Sequence, residues 1–241
     1  MLLGEQFQTR VTDAFTSDAA TVDLLPMVFV RAAVSVLPIA GAGLSMTDHL
    51  RIPLAASDEK VMMAERLQTT VGEGPCLAAA AMGHPLVADL ATMAASWPAF
   101  YERFAAECPY RSIASFPLPA TPGTYVGALD LYSSSPDTFT SRELEEVDAA
   151  VATPIASMLF REAAVEEPDG RAVPGWLSKE PVNERMNVWV AVGMSMERLK
   201  LNNLDILALL RGYAYSHDLT LDQVAHLVTD KGLQPDELLT R

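Results

Sequence analysis

A change in hydrophobic periodicity partway along divides this chain in two. Up to about residue 165, apolar residues recur at alternate positions in some stretches and at steps of three and four in others, so strands and helices are mixed. From about Pro181 to the end only the helical spacing remains. Between them, Glu166-Glu167-Pro168-Asp169-Gly170 opens a polar stretch that runs through Pro174-Gly175 to Lys179-Glu180. Such a stretch has too little apolar surface to pack and reads as a linker. The pattern therefore predicts an α+β domain over 1–165, a linker over 166–180 and an all-helical domain over 181–241. The 241 residues suit such a pair, and no internal repeat or low-complexity tract is present.

In the first domain, 12–37 reads as one or two helices and 50–56 as a strand. Asp58 caps a helix over 59–69, because its carboxylate can accept the unpaired amides of the first turn. A short strand follows over 86–90, and Ser96 is expected to cap the next helix with Pro98 just inside it. The strongest strands are 112–118 and 125–132, joined through Pro119-Ala120-Thr121-Pro122-Gly123, which predicts an antiparallel hairpin. A long helix over 141–162 carries Leu144, Val147, Val151, Ile155, Met158 and Leu159 on one stripe, with Pro154 expected to kink it or cost it a hydrogen bond. That stripe is expected to pack on the sheet, with a dimer seam as the other reading.

Half of the residues are hydrophobic and 20% are charged, which excludes a disordered chain. The longest apolar stretch, 24–44, is broken by Pro26, Arg31 and Pro38 and falls short of the roughly 18 clean apolar residues of a membrane helix. Glu5 and Gln6 stand where a signal peptide would have a basic segment, so the expectation is a cytoplasmic protein. Two cysteines, Cys76 and Cys108, are too few for a disulfide framework or a structural zinc site. The formal charge of −14 repels polyanions, and any nucleic-acid contact must overcome it.

Catalytic signals are weak. Gly72-Glu73-Gly74-Pro75-Cys76 places a cysteine at a helix start, where the dipole would lower its pKa; the plainer expectation is a buried structural thiol. None of His49, His84, His217 and His226 has a metal-ligand spacing, Asp89 and Asp130 are lone carboxylates near strand ends, and no phosphate loop follows a strand. No cofactor is assigned, and the chain is not expected to be an enzyme.

Several pieces occur in a recognisable order: Gln68, Gly72-Glu73-Gly74-Pro75-Cys76, Val87-Ala88-Asp89-Leu90, Trp97-Pro98, Ser112 with Phe116-Pro117-Leu118, Gly127-Ala128-Leu129 with Leu131-Tyr132, and Phe139. Together they resemble the GAF domains of actinobacterial sensory proteins over roughly 3–164. The resemblance implies an antiparallel sheet flanked by helices and a small-molecule pocket, here bordered by Val87, Leu90, Trp97, Tyr101 and Phe116. A ligand there would bias the flanking helices between two arrangements. Some GAF domains resemble reductases of free methionine sulfoxide, but that chemistry uses several cysteines in one pocket.

The C-terminal residues read as three helices: 182–200, with Trp189, Val192, Met196 and Leu199 inward; 204–216, capped by Asn202 or Asn203, with Leu207, Leu210 and Ala214 inward; and one capped by Thr220 with Gln223, burying Leu221, Val224, Ala225 and Val228. Each is too short to stand alone, so they must form a bundle. Arg185, Ala191, Gly193-Met194, Met196-Glu197-Arg198, Leu210-Arg211, Ala214, Leu221 and Val224-Ala225 resemble the ANTAR domain, a three-helix RNA-binding output module. Val190 and Val192 stand where that family usually has Gln and Lys.

The two resemblances together imply a homodimeric regulator that binds stem-loops in nascent mRNA and prevents transcription termination, with Arg185, Arg198, Lys200, Arg211 and Tyr215 as RNA contacts. The other reading is a bundle that serves dimerisation or protein docking. Nine acidic against six basic residues over 180–241 favour the latter electrostatically. Single-stranded loops, however, need stacking surfaces and a few placed cations more than high net charge.

Overall fold

The computed structural model describes residues 1–16, 24–47, 51–121, 123–136, 139–162, 164–166, 172–174 and 180–239. Two helices, α1 (Leu3–Thr16) and α2 (Leu25–Val36), lead into strands β1 (Gly41–Thr47) and β2 (Arg51–Ala56). Then come α3 (Glu59–Val71), α4 (Pro75–Met82), β3 (Leu86–Asp89), α5 (Leu90–Ser96), α6 (Pro98–Glu107), β4 (Ser112–Thr121) and β5 (Thr124–Ser133). The five strands form one antiparallel sheet in the order β2-β1-β5-β4-β3. Ala42, Leu44 and Met46 alternate along β1 into the first core, but Gly41, Gly43 and Ser45 between them give the strand low intrinsic preference.

Strand alternation gives the sheet two cores. Leu129 and Leu131 of β5, with Ala114, Phe116 and Leu118 of β4, face α1, α2 and the long helix, around Phe7, Phe29, Val151 and Ile155. Ile113 and Tyr132 face the other side, where α3, α5 and α6 supply Leu67, Met93, Phe100 and Phe104. That second core is aromatic: ring centroids of Phe100 and Phe104 lie 5.1 Å apart, and those of Tyr110 and Tyr132 5.0 Å.

Several local signals act as the sequence predicts. Asp58 accepts from the amides of Lys60 and Val61, and the last turn of α3 closes on Gly72 at φ 73°. Ser96 differs: it ends α5, and the chain passes through Trp97 straight into α6, so no side chain caps that helix although Pro98 stands at its start. The helix over 141–162 is also not simply kinked. Ser141–Val147 (α7) and Thr153–Ser157 (α8) are joined and followed by π-turns over Asp148–Ala152 and Met158–Glu162. The widened turn just before Pro154 accommodates its missing N–H, and the helix continues. Val147, Val151, Ile155 and Leu159 of its stripe are buried in the sheet core.

The expected linker 166–180 is largely outside the described residues; at its start β6 (Ala164–Glu166) pairs with β7 (Ala172–Pro174) as a two-stranded ribbon. The bundle follows as α9 (Glu180–Leu199), α10 (Asn203–Ser216) and α11 (Leu221–Asp230), with a 3-10 turn over Pro235–Leu239. Asn202 caps α10 through the amide of Asp205, and Thr220 with Gln223 forms a capping box on α11. Ile206, Leu207, Leu210, Ala214, Leu221, Val224, Ala225 and Val228 make a core separate from the two of the sheet.

The inward face of α9 is only partly the expected one: Val192 is buried and Leu199 packs on the bundle core, but Trp189 and Met196 do not join them. Val188, Ala191, Val192 and Ser195 are buried, while Trp189 and Met196 lie at the surface with Val190 and Met194. Apolar residues cover so wide an arc of α9 that periodicity allows either face. The close crossing of α11 takes the smaller side chains. The other side of α9 also touches β2, an edge strand of the sheet.

Candidate functional site: a buried charge cage beneath the helical bundle

Between α3 and the sheet lies a cage of polar groups without access to solvent: Arg51, Glu65, Gln68, Thr69, Ser115, Asp130 and Cys76. Arg51 rises from β2, Asp130 and Tyr132 from β5, Ser115 from β4, and Cys76 from the first turn of α4. The Arg51 Nη2 donates to Glu65 Oε2 at 2.5 Å and to Asp130 Oδ2 at 3.2 Å. Its Nε donates to Cys76 Sγ at 2.8 Å, and its Nη1 to Thr69 Oγ1 at 3.3 Å. Tyr132 Oη donates to Glu65 Oε1 at 2.7 Å, Ser115 Oγ to Asp130 Oδ1 at 2.6 Å, and Gln68 Nε2 to Asp130 Oδ2 at 2.8 Å. Gly43 makes the space: a Cβ there would collide with the Glu65 carboxyl group.

One guanidinium faces two carboxyl groups in this interior. Burial raises the Glu65 pKa to about 7, an effect that Arg51 opposes without cancelling. Cys76 sits at a helix start, yet burial pushes its thiol well above the ordinary value, and Cys108 is pushed up to about 12 by burial and by Glu107. Both are poor nucleophiles, since the thiolate is the reactive form. Cys76 instead accepts from Arg51 through sulfur and donates its backbone N–H to Gln68 Oε1 at 3.1 Å, which ties the Gly72–Cys76 loop to α3.

The C-terminal turn of α3 carries the bundle. Arg211 of α10 lies over Gly72, where any Cβ would strike its guanidinium, and its Nε donates to the Thr69 carbonyl at 3.3 Å. A cation there meets the negative end of the α3 dipole. Burial lowers the Arg211 pKa, and no carboxylate partners it among the described residues. The Leu221 amide donates to Thr70 Oγ1 at 3.1 Å, Arg103 Nη1 to the Leu219 carbonyl at 3.2 Å, and Tyr215 Oη to Glu102 Oε2 at 2.6 Å. Beside this contact a crevice of about 610 Å³ is lined by Glu102, Glu107 and Asp218 together with Arg103 and Tyr215.

The residues expected to touch RNA thus fall in separate places. Arg211 and Tyr215 share a face of α10, but that face meets α3 and α6. Arg198 and Lys200 are exposed at the far end of α9, paired with Asp236 and Glu197, each at 2.7 Å. Arg185 lies in α9, with its side chain outside the described residues.

The five expected pocket residues are divided by the sheet as well. Phe116 and Val87 pack with the core under α1 and α2, whereas Leu90, Trp97 and Tyr101 pack on the opposite core. Val87 and Phe116 point from β3 and β4 into the first core, while Leu90 and Tyr101 stand on α5 and α6, with Trp97 between them, and pack in the second.

The cage itself escapes sequence reading. Its one local signal is Arg51, a lone cation in the otherwise apolar strand 50–56. His49 and Leu50 lie outside the described residues. Among those described, no group of His, Cys, Asp and Glu is arranged to hold a metal, and no helix is long and apolar enough to cross a membrane.

No protein-family model matches the chain, and no curated protein does. Solved structures to which it is similar include a domain of a two-component sensor histidine kinase from Sinorhizobium meliloti, at 15% identity and TM-score 0.47, covering 59% of this chain and 92% of that one. A GAF domain from a phosphoenolpyruvate-protein phosphotransferase of Coxiella burnetii is 17% identical at TM-score 0.46, covering 64% and 92%. Free methionine-R-sulfoxide reductase from Neisseria meningitidis, in complex with its substrate, is 16% identical at TM-score 0.40, covering 65% and 89%.

Proposed function

We propose that this chain is a signal-responsive regulator in which a GAF-type sensor governs a C-terminal bundle that binds stem-loops in nascent mRNA and prevents transcription termination. The observation that carries the reading is the placement of Arg211 and Tyr215, one turn apart on α10 and held against the N-terminal unit by Thr69 and Glu102. A cation and an aromatic ring on one helix face suit an unpaired loop, the ring by stacking and the guanidinium by its charge. In the docked arrangement the neighbouring carboxylates Glu102, Glu107 and Asp218 repel phosphate, so RNA reaches this face only when α10 leaves α3 and α6.

The test is binding of the full chain to a library of tandem stem-loop RNAs in low-salt buffer. Arg211→Ala is expected to weaken binding about tenfold and to reduce the salt slope by about one. Absence of binding to any member, or an unchanged salt slope in the variant, overturns the reading. A second reading is favoured by the surface Trp189, Val190, Met194 and Met196 on α9, an apolar face suited to a second copy of the bundle. Concentration-dependent sedimentation that Val190→Glu abolishes, with no RNA bound, would select it.

A further inference from the structure

Helix α3 serves two structures at once. Along its length it contributes Glu65, Gln68 and Thr69 to the buried cage, and at its end it offers the Thr69 carbonyl, Thr70 Oγ1 and Gly72 to the bundle. Thr69 belongs to both: its hydroxyl accepts from Arg51 and its carbonyl from Arg211.

We propose that α3 is a proton-controlled latch: when the Arg51–Glu65–Asp130 cage holds a proton on Glu65 the bundle stays docked, and when that proton leaves the bundle is released. The latch acts on docking alone and operates whatever the bundle binds.

The groups that face Glu65 are Arg51 from β2, Asp130 and Tyr132 from β5, and Cys76 from α4; β1 offers only Gly43, β4 only the neutral Ser115, and α3 itself Gln68 and Thr69. With both carboxyl groups ionised, one guanidinium leaves the cage a negative charge in excess, in an interior that water does not reach. A proton on Glu65 makes it neutral. A buried excess charge is relieved only by movement that admits water. The strands cannot move without breaking their ladders, whereas the end of α3 is held by the packing of Leu67 and Val71, by hydrogen bonds of Arg51 and Gln68 within the cage, and by the bundle.

Glu65 in the closed state releases its proton at about 7, while in an opened, hydrated state it does so near the ordinary carboxylate value of 4.5. Between those values the closed state holds more protons, so opening rises with pH by up to about tenfold per unit and levels off above about 7.

The amide of Leu221 reports directly on the latch, because its hydrogen bond crosses to Thr70. Residue-resolved hydrogen–deuterium exchange of the full chain from pH 5 to pH 8, corrected for the intrinsic pH dependence of exchange, should show the Leu221 amide losing protection at least about tenfold up to neutrality, with β4 and β5 unchanged. Glu65→Gln, permanently neutral, should keep that protection flat and high.

Unchanged protection in the native chain, an equal pH response in Glu65→Gln, or parallel loss in β4 and β5 each overturns the proposal. If Glu65→Gln does not fold, Tyr132→Phe decides the matter. It removes a donor that favours the ionised carboxylate and should move the midpoint to higher pH; a midpoint that stays in place overturns the latch.

Discussion

The two halves of this molecule solve burial in opposite ways. The bundle core is aliphatic, and the polar atoms it shuts from solvent, Ser195 Oγ, the Asp222 carboxylate and Thr229 Oγ1, are scattered rather than gathered in one network. The N-terminal unit seals a guanidinium, two carboxyl groups, an amide, a thiol and hydroxyl groups beneath α3. An aliphatic core tolerates small shifts, because dispersion attraction given up on one side is partly regained on another. A hydrogen-bonded charge cage has one good arrangement, and each broken bond leaves a buried polar group without compensation. While Glu65 keeps its proton, the cage therefore fixes the position of α3, and through it the seat of Arg211, more tightly than apolar packing would.

The contrast should break first at the most heavily coupled residue. Arg51→Met leaves Glu65 and Asp130 buried without their cation and should cost about 4 kcal/mol in urea denaturation. It should also expose the bundle contact, seen as faster exchange at the Leu221 amide. A loss below about 1 kcal/mol would show that the cage is not a rigid unit.

In the other half, Leu210→Ala removes a fully buried side chain and should cost about 3 kcal/mol, with loosened exchange confined to α9, α10 and α11. Spread of that loosening into β4 and β5 would mean that the halves share one cooperative unit. Tyr215→Phe deletes one exposed hydrogen bond to Glu102 and should cost no more than about 1 kcal/mol, while measurably raising exchange at the Leu221 amide.

What can be read from the residues follows the range of the forces involved. Asp58, Asn202 and Thr220 cap the helices expected of them, since a cap bonds amides only two or three positions away. β4 and β5 announce themselves by alternation, and the aliphatic stripe of the long helix is buried as its spacing demands. β1 is faint although Ala42, Leu44 and Met46 alternate, because the glycines between them stand there for space, Gly41 under Val61 and Gly43 under Glu65, and those neighbours lie in another element. Trp189 and Met196 lie outside rather than inside because α9 is apolar around most of its circumference, and only its neighbours choose the covered face.

The candidate site shows the same limit. Gly72 and Arg211 each belong to a recognisable local pattern, yet their contact joins positions more than half the length of the chain apart. Cage partners Arg51 and Asp130 are separated by 79 positions and meet only because β2 and β5 both flank β1.

By itself the amino-acid order settled the division into a mixed unit and a helical one, the helices with their caps, and the central hairpin, because propensity, capping and periodicity act over a few residues. Folding in three dimensions alone decided which charges would share one dry interior and which face of α10 would be covered. Those outcomes depend on Coulomb and desolvation energies between groups that the chain brings together only after its sheet has closed.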